Sequence, residues 1–253
     1  MAAGQARPPV RGTAASRRPQ LPWTSLVVAS AAALLVAALA LGTWWAVTKE
    51  RRITSYRVSG SLARIEVDVR SGGAEITDAG GSAAEVRRTD SFAFDRPARE
   101  RRSIRNGVLR ISSRCPRMAV GSCSSSYRIA VPENVPVVVR SSGGDVRISA
   151  FRGSADVQTG AGNVVVDGFC GFGLSIKTGS GNARAVATCS PQSLNLRSSS
   201  GSIDATVPAG GYRVEADSNN GRADVTGIQR NAGAPYEIQA LSDSGNVTVR
   251  GGG

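Results

Sequence analysis

Residues 137–149 read VVVRSSGGDVRIS. Two apolar positions, Val137 and Val139, precede a small Gly-containing turn, and two more, Val146 and Ile148, follow it. The same frame recurs five more times toward the C-terminus, with turns TGAGNV, TGSGNA, SSSGSI, SNNGRA and SDSGNV. The aligned glycines are Gly144, Gly162, Gly181, Gly201, Gly221 and Gly245, at steps of 18, 19, 20, 20 and 24 residues. The positions seven and five residues before each glycine, and two and four after it, are apolar in every copy. The residues between them are mostly polar, as in Asp156, Ser175, Asn195, Arg184 and Asp204. Strand side chains alternate faces, so this period of two predicts short strands with one buried side.

Each repeat therefore reads as strand, Gly turn, strand, looser turn. Constant length in a constant frame predicts that successive coils stack, with strand on strand at roughly 4.8 Å and inward residues forming ladders. The expected class is all-β: a β-solenoid (β-helix-like) of short stacked coils, with one N-terminal transmembrane α-helix. An antiparallel sandwich built from hairpins is the alternative. Glycine suits the turn by reaching positive φ without a Cβ clash. Gly72 carries the same frame, with Ile65 and Val67 before it and Ala74 and Ile76 after it, and predicts a further N-terminal coil. Between residues 83 and 130 the regularity fails. EVRRTDSFAF, GVLRISSRC and SYRIAVP still alternate, and this insertion reads as a cap or side sheet, since an open solenoid end needs an atypical unit.

The cysteines fit stacking. Cys170 and Cys189 each lie eight residues after an aligned glycine and so occupy one position in neighbouring coils. Stacking would bring their Cα atoms to about 5 Å, within disulfide range. Free buried thiols are the alternative. Cys115 and Cys123, in RCPRMAVGSC, predict a second, local bridge. The spacings match no zinc ribbon.

Residues 26–47, LVVASAAALLVAALALGTWWAV, hold no charge and no proline. At 1.5 Å per residue they span roughly 33 Å, enough for a bilayer core, and tryptophans stand at both rims. A cleaved signal peptide is the alternative, but its apolar core would be shorter. Basic residues flank both ends, so the positive-inside rule is nearly balanced, and the disulfide-ready cysteines decide for an extracytoplasmic C-terminal domain. The expected organisation is a short, disordered basic cytoplasmic arm over 1–25, a transmembrane helix over 26–47, an irregular β region over 48–136 and the regular repeats over 137–253. The expected location is the cell membrane, single-pass.

The net charge is +12, from 31 Lys and Arg against 19 Asp and Glu. Residues 141–253 hold 9 of each sign, so the excess lies in 1–140. A local cluster, Arg96, Arg99, Arg101, Arg102 and Arg105, is a candidate contact for anionic lipid heads or anionic envelope polymers. The alternative is a solvated basic loop. Nucleic acid is a poor partner for an extracytoplasmic domain with few aromatics.

Catalysis finds little support. The chain has no histidine, which removes His-based triads, His general bases and the commonest metal ligand. Outward acids are scattered. Asp204 and Asp224 share one frame position in adjacent coils and would lie about 5 Å apart, like a retaining glycosidase pair; solvated acids paired with arginines are the plainer reading. The turns superficially match a Gly-rich calcium motif, but only Asp145 supplies the aspartate, and Asn163, Asn182, Ser202 and Asn246 predict a hydrogen-bonded ladder. No cofactor, metal or small-molecule substrate is indicated.

The segments RSGGAEI, RSSGGDVRI, KTGSGNA, RSSSGSI and DSGNVTVRG, behind a single N-terminal anchor, resemble the bacterial putative-adhesin family of β-strand-repeat domains of unknown function, over roughly Ile65 to Val249. The resemblance implies a β-solenoid at the cell envelope and brings no catalytic residues. More loosely, the chain is similar to membrane-bound envelope-stress regulators. The expected role is a non-enzymatic adhesion-like or scaffold surface touching the cytoplasmic membrane and anionic envelope polymers or a membrane protein partner. A regulatory subunit of an envelope-stress system is the alternative, and a glycan-active β-helix enzyme a second.

Overall fold

The computed structural model describes residues 23–47, 49–117 and 122–252. The basic arm before Trp23 lies outside the described residues. The chain divides into two compact units at Val47. The first contains α1 (Trp23–Val47), whose apolar window Val27–Trp44 is long enough to cross a membrane. Two of its hydroxyls turn back onto its own carbonyls: Ser30 Oγ donates to Val27 O at 2.9 Å and Thr43 Oγ1 to Leu39 O at 2.9 Å. These two hydroxyls then need no water, which suits a hydrocarbon surround.

The second unit begins with β1 (Lys49–Val58), β2 (Arg64–Val69), β3 (Ala74–Asp78), β4 (Ala84–Ala93), β5 (Arg99–Arg105), β6 (Val108–Arg114) and β7 (Cys123–Val131). The regular repeats follow as β8 (Val137–Ser141), β9 (Val146–Ser149), β10 (Ala155–Ala161), β11 (Val164–Phe169), β12 (Gly173–Ser180), β13 (Ala183–Ala187), β14 (Ser193–Ser200) and β15 (Ile203–Pro208). The chain ends in β16 (Gly211–Asn220), β17 (Ala223–Thr226), β18 (Gln229–Arg230), β19 (Glu237–Ser244) and β20 (Val247–Gly252).

These strands form two ten-stranded sheets facing each other. Pairing is parallel throughout the repeats, because each coil contributes one strand to each sheet. The solenoid reading holds and the hairpin sandwich does not. Inward residues form the expected ladders. One runs Leu109, Ile65, Val137, Ala155, Leu174, Leu194, Ile238 across one sheet; another runs Ile129, Ile76, Ile148, Val166, Ala185, Ala205, Val249 across the other. All are buried, and full burial of each Leu, Ile or Val is worth about 1.5–3 kcal/mol.

The coils do not stack in chain order. Beyond the coil β14–β15 lies β19–β20, and β16–β17 is the outermost. The chain runs to the far end, turns through β18, and returns to insert its last coil one step inward. The 24-residue step before Gly245 supplies the length for this return. As the end unit, β16–β17 leaves Val214, Ala216 and Val225 half-buried where their counterparts are fully covered.

The irregular N-terminal segment resolves into a further coil and a cap. β6 and β7 stack on the opposite side of β2 and β3 from β8 and β9. Against them β5 pairs antiparallel to β6, β4 antiparallel to β7, and β1 antiparallel to β4. The two rims of this cap are charged edge strands, KERRITSYRV and RERRSIR, a composition that discourages further strand addition.

The turn glycines have a different reason from the expected one. Among the aligned seven, only Gly72 (φ 128°) and Gly245 (φ 149°) are left-handed. What all seven share is close approach to the next coil. A Cβ on Gly144 would lie 2.1 Å from Gly72 O, on Gly181 2.1 Å from Gly162 O, and on Gly201 2.1 Å from Gly181 O. A hydroxyl three residues before six of these glycines donates to the carbonyl of the aligned glycine in the neighbouring coil. Ser198 Oγ reaches Gly181 O at 3.0 Å and Ser242 Oγ reaches Gly201 O at 2.8 Å; Ser141, Thr159, Thr178 and Ser218 repeat the contact.

Candidate functional site

The position after each turn glycine forms the predicted ladder. Asn163 N donates to Asp145 Oδ1 at 2.8 Å, Asn182 N to Asn163 Oδ1 at 3.0 Å and Ser202 N to Asn182 Oδ1 at 2.9 Å. These side-chain oxygens are engaged by backbone, and among the described residues no cluster of metal-ligating side chains exists.

The structure joins Cys170 to Cys189 with Cα atoms 4.8 Å apart, and Cys115 to Cys123 with Cα atoms 5.8 Å apart. The first staples adjacent coils on the side opposite the glycine turns. The second closes the β6–β7 coil where a glycine turn would otherwise stand.

Asp204 and Asp224 are not neighbours. Because β20 is inserted between their strands, both register with Thr248. Two strand spacings, about 9.6 Å, separate them, and Asp204 pairs with Arg250 at 3.4 Å. The retaining-glycosidase arrangement is therefore excluded by the coil order.

The basic cluster is divided by strand alternation. Arg96 is exposed in the β4–β5 loop. Arg99, Arg101 and Arg105 share the outer face of β5. Arg102 points the other way, with its guanidinium 4.2 Å from the centre of the Tyr56 ring. Below it lies a buried polar knot. Glu100 accepts from Tyr56 Oη (3.1 Å), Tyr127 Oη (3.0 Å) and Arg88 Nη1 (3.3 Å). Arg88 Nε also donates to Asp90 (2.8 Å) and to Ser125 Oγ (3.0 Å). Burial, then the Glu100 charge, pushes the Tyr127 phenol up to about 12 and raises that of Tyr56 further. The knot ties β1, β4, β5 and β7 together across the two sheets and has no exposed reactive group, so it reads as the lock of the cap.

Sequence reading missed a basic row on the outer face of the other sheet. Register aligns Arg87, Arg128, Glu75, Arg147, Val165, Arg184, Asp204, Thr248 and Asp224. Arginines gather at the capped end and aspartates at the far end. Arg128 is held by Glu75 at 2.7 Å, whereas Arg87, Arg147 and Arg184 have no ion pair with a described residue. Arg51, Arg87, Arg128 and Arg147, with Glu75 and Asp145, line a shallow groove of about 460 Å³. From Glu75 on, the row is one frame position, three residues after the aligned glycine, and was visible in the repeat. Arg87 and Arg128 enter it only through the cap pairing.

No curated protein matches the chain. The chain is similar to several solved structures. A putative cell adhesion protein from Clostridium sporogenes is 11% identical, covers 80% of this chain and 100% of its own, and superposes with a TM-score of 0.53. A putative adhesin from Bacteroides fragilis is 14% identical, covers 80% of this chain and 97% of its own, with a TM-score of 0.42. At 11% identity the first likeness is one of fold alone. The model of the family described as Toastrack DUF4097 matches residues 118–250, more than half of the sequence and nearly all of the glycine-ladder array, and the chain belongs to that family.

Proposed function

We propose that this is a single-pass membrane protein whose extracytoplasmic β-solenoid is a non-enzymatic, adhesion-like surface for anionic envelope polymers. The observation that carries this reading is the outer row Arg87, Arg128, Arg147 and Arg184. Strand register, antiparallel for Arg87 and parallel for the rest, aligns these residues across one sheet at multiples of roughly 4.8 Å, a spacing suited to a linear polymer with repeated negative charges. The apolar helix α1 and two disulfides support the placement. The fold likeness to a protein named for cell adhesion supports the general role. The chemistry asked of the surface is attraction and hydrogen bonding, with no proton transfer and no nucleophile.

The test is co-sedimentation of the detergent-solubilised full chain with cell-wall sacculi, intact or stripped of their anionic polymer. Binding is expected only to intact sacculi, weakening with salt. The triple variant R87Q/R147Q/R184Q is expected to bind about tenfold more weakly or worse. Equal binding to stripped sacculi, or by the triple variant, would overturn the assignment.

A further inference from the structure

The cap has a second basic feature, made of residues other than those that line the groove. Register brings four chain segments to one rim. The first residue of β1, Lys49, pairs with the last of β4, Ala93. Phe92 pairs with Cys123 at the start of β7, and Ala93 N donates to Ser122 O at 3.0 Å. Arg99, the first residue of β5, pairs with Arg114, the last of β6. This rim therefore carries Lys49, Arg96, Arg99, Arg114 and Arg117, against the acids Glu50 and Asp95. All five basic residues are exposed, and the four arginines make no ion pair with a described residue. Phe94 stands among them, 42% exposed, on a turn closed by two left-handed residues, Phe94 (φ 58°) and Asp95 (φ 49°).

The rim is also where the anchor joins. Only Thr48 separates Val47, the last residue of α1, from Lys49. Two residues of extended chain reach at most about 7 Å. With α1 across a bilayer, chain length alone keeps Lys49, which pairs into this rim, within reach of the headgroup layer. A surface of arginines with one exposed aromatic is the chemistry of an interfacial contact: guanidiniums meet lipid phosphates and the ring enters the acyl boundary.

We propose that this rim, formed by Arg96, Arg99, Arg114, Arg117 and Phe94, docks on the anionic phospholipid headgroups of the bilayer that α1 crosses. It rests on α1 being retained, as in the proposed function, and is independent of the groove.

The test is hydrogen–deuterium exchange of the full chain in nanodiscs of phosphatidylcholine, with and without phosphatidylglycerol. Peptides covering 92–99 and 114–117 are expected to exchange about threefold or more slowly with the anionic lipid, and salt is expected to reverse the effect. The variant R96Q/R99Q/R114Q/R117Q is expected to lose that lipid-dependent protection. Its amides in β10–β15 should stay as protected as in the parent, which separates lost docking from lost folding. Equal exchange in the two lipids, or protection that survives in the variant, would overturn the rim. The intact mass of the chain purified from native membranes tests the shared premise: loss of α1 overturns both readings, whereas an intact chain without a lipid effect overturns only this one.

Discussion

Two adjacent glycines in SSGGDV separate the two reasons a turn can need glycine. A Cβ on Gly144 would sit 2.1 Å from Gly72 O and 2.5 Å from Gly72 C, whereas a Cβ on Gly143 would meet nothing nearer than Ala161 O at 3.9 Å. Neither has a left-handed φ. For Gly144→Ala the obstacle is backbone, so the coils must part by about 1 Å to reach ordinary contact. That movement stretches the bonds beside the turn, Ser142 N to Val69 O (3.1 Å) and Ala74 N to Asp145 O (3.1 Å). Two weakened backbone bonds at about 1 kcal/mol each, plus the strain of overpacking, give a loss of about 3 kcal/mol. For a unit of this size that is a fall in Tm of roughly 6–12 °C. Gly143→Ala should stay within about 0.5 kcal/mol of the parent. The assay is far-UV circular dichroism or calorimetry in detergent. Tryptophan fluorescence will not serve, because Trp23, Trp44 and Trp45 all lie outside the β unit. Equal Tm values for the two variants would refute the close-approach account of the glycine ladder.

Two further outcomes follow from the bridges and the buried phenols. Peptide mapping of the unreduced protein should recover Cys170 linked to Cys189 and Cys115 linked to Cys123, and the double variant C170S/C189S should lose about 3 kcal/mol, since the bridge closes a 19-residue separation. Alkaline pH should destabilise the cap. The folded Tyr127 holds its proton to about pH 12, while the unfolded phenol releases it near 10, so its contribution is complete below pH 10 and is lost as pH rises toward 12. Two units correspond to about 2–3 kcal/mol, and the decline in Tm across that range should be shallower in Tyr127→Phe.

The repeats were legible because a period of two in a fixed frame leaves few architectures that bury all the apolar positions. The frame also carried the Cys170–Cys189 pairing, whereas Cys115–Cys123 was legible from its short separation. Coil order was not legible: nothing in the ladder residues of β16 or β19 says which coil is outermost, and the only trace was the longer step before Gly245. That single exchange removed the Asp204–Asp224 pair. The cap was hidden because antiparallel pairing of β1, β4 and β5 obeys no repeat. The basic row shared this difficulty, since its first two members join through the cap. The glycine positions were legible, but their cause was not: φ is a property of one residue, whereas close approach depends on the neighbouring coil.

Constraint in this fold sits at the turns and on the inward ladders, where glycine, a hydroxyl and an apolar residue are each required by contact with the next coil. The outward position between two ladder residues faces away from the core, so it can change without disturbing the stack. This explains how the fold is shared at 11% identity, and it means that recognition must be read across coils and not along the chain. Val165 tests the point. It interrupts the basic row, registered between Arg147 and Arg184, and is only half-buried. Val165→Arg would join the two cations into an unbroken run. Like charges on adjacent strands repel, so a stability loss below about 1 kcal/mol is expected. Binding to intact sacculi should nevertheless tighten severalfold and depend more steeply on salt. A variant that folds normally and binds no better than the parent would show that charge along this row does not govern attachment.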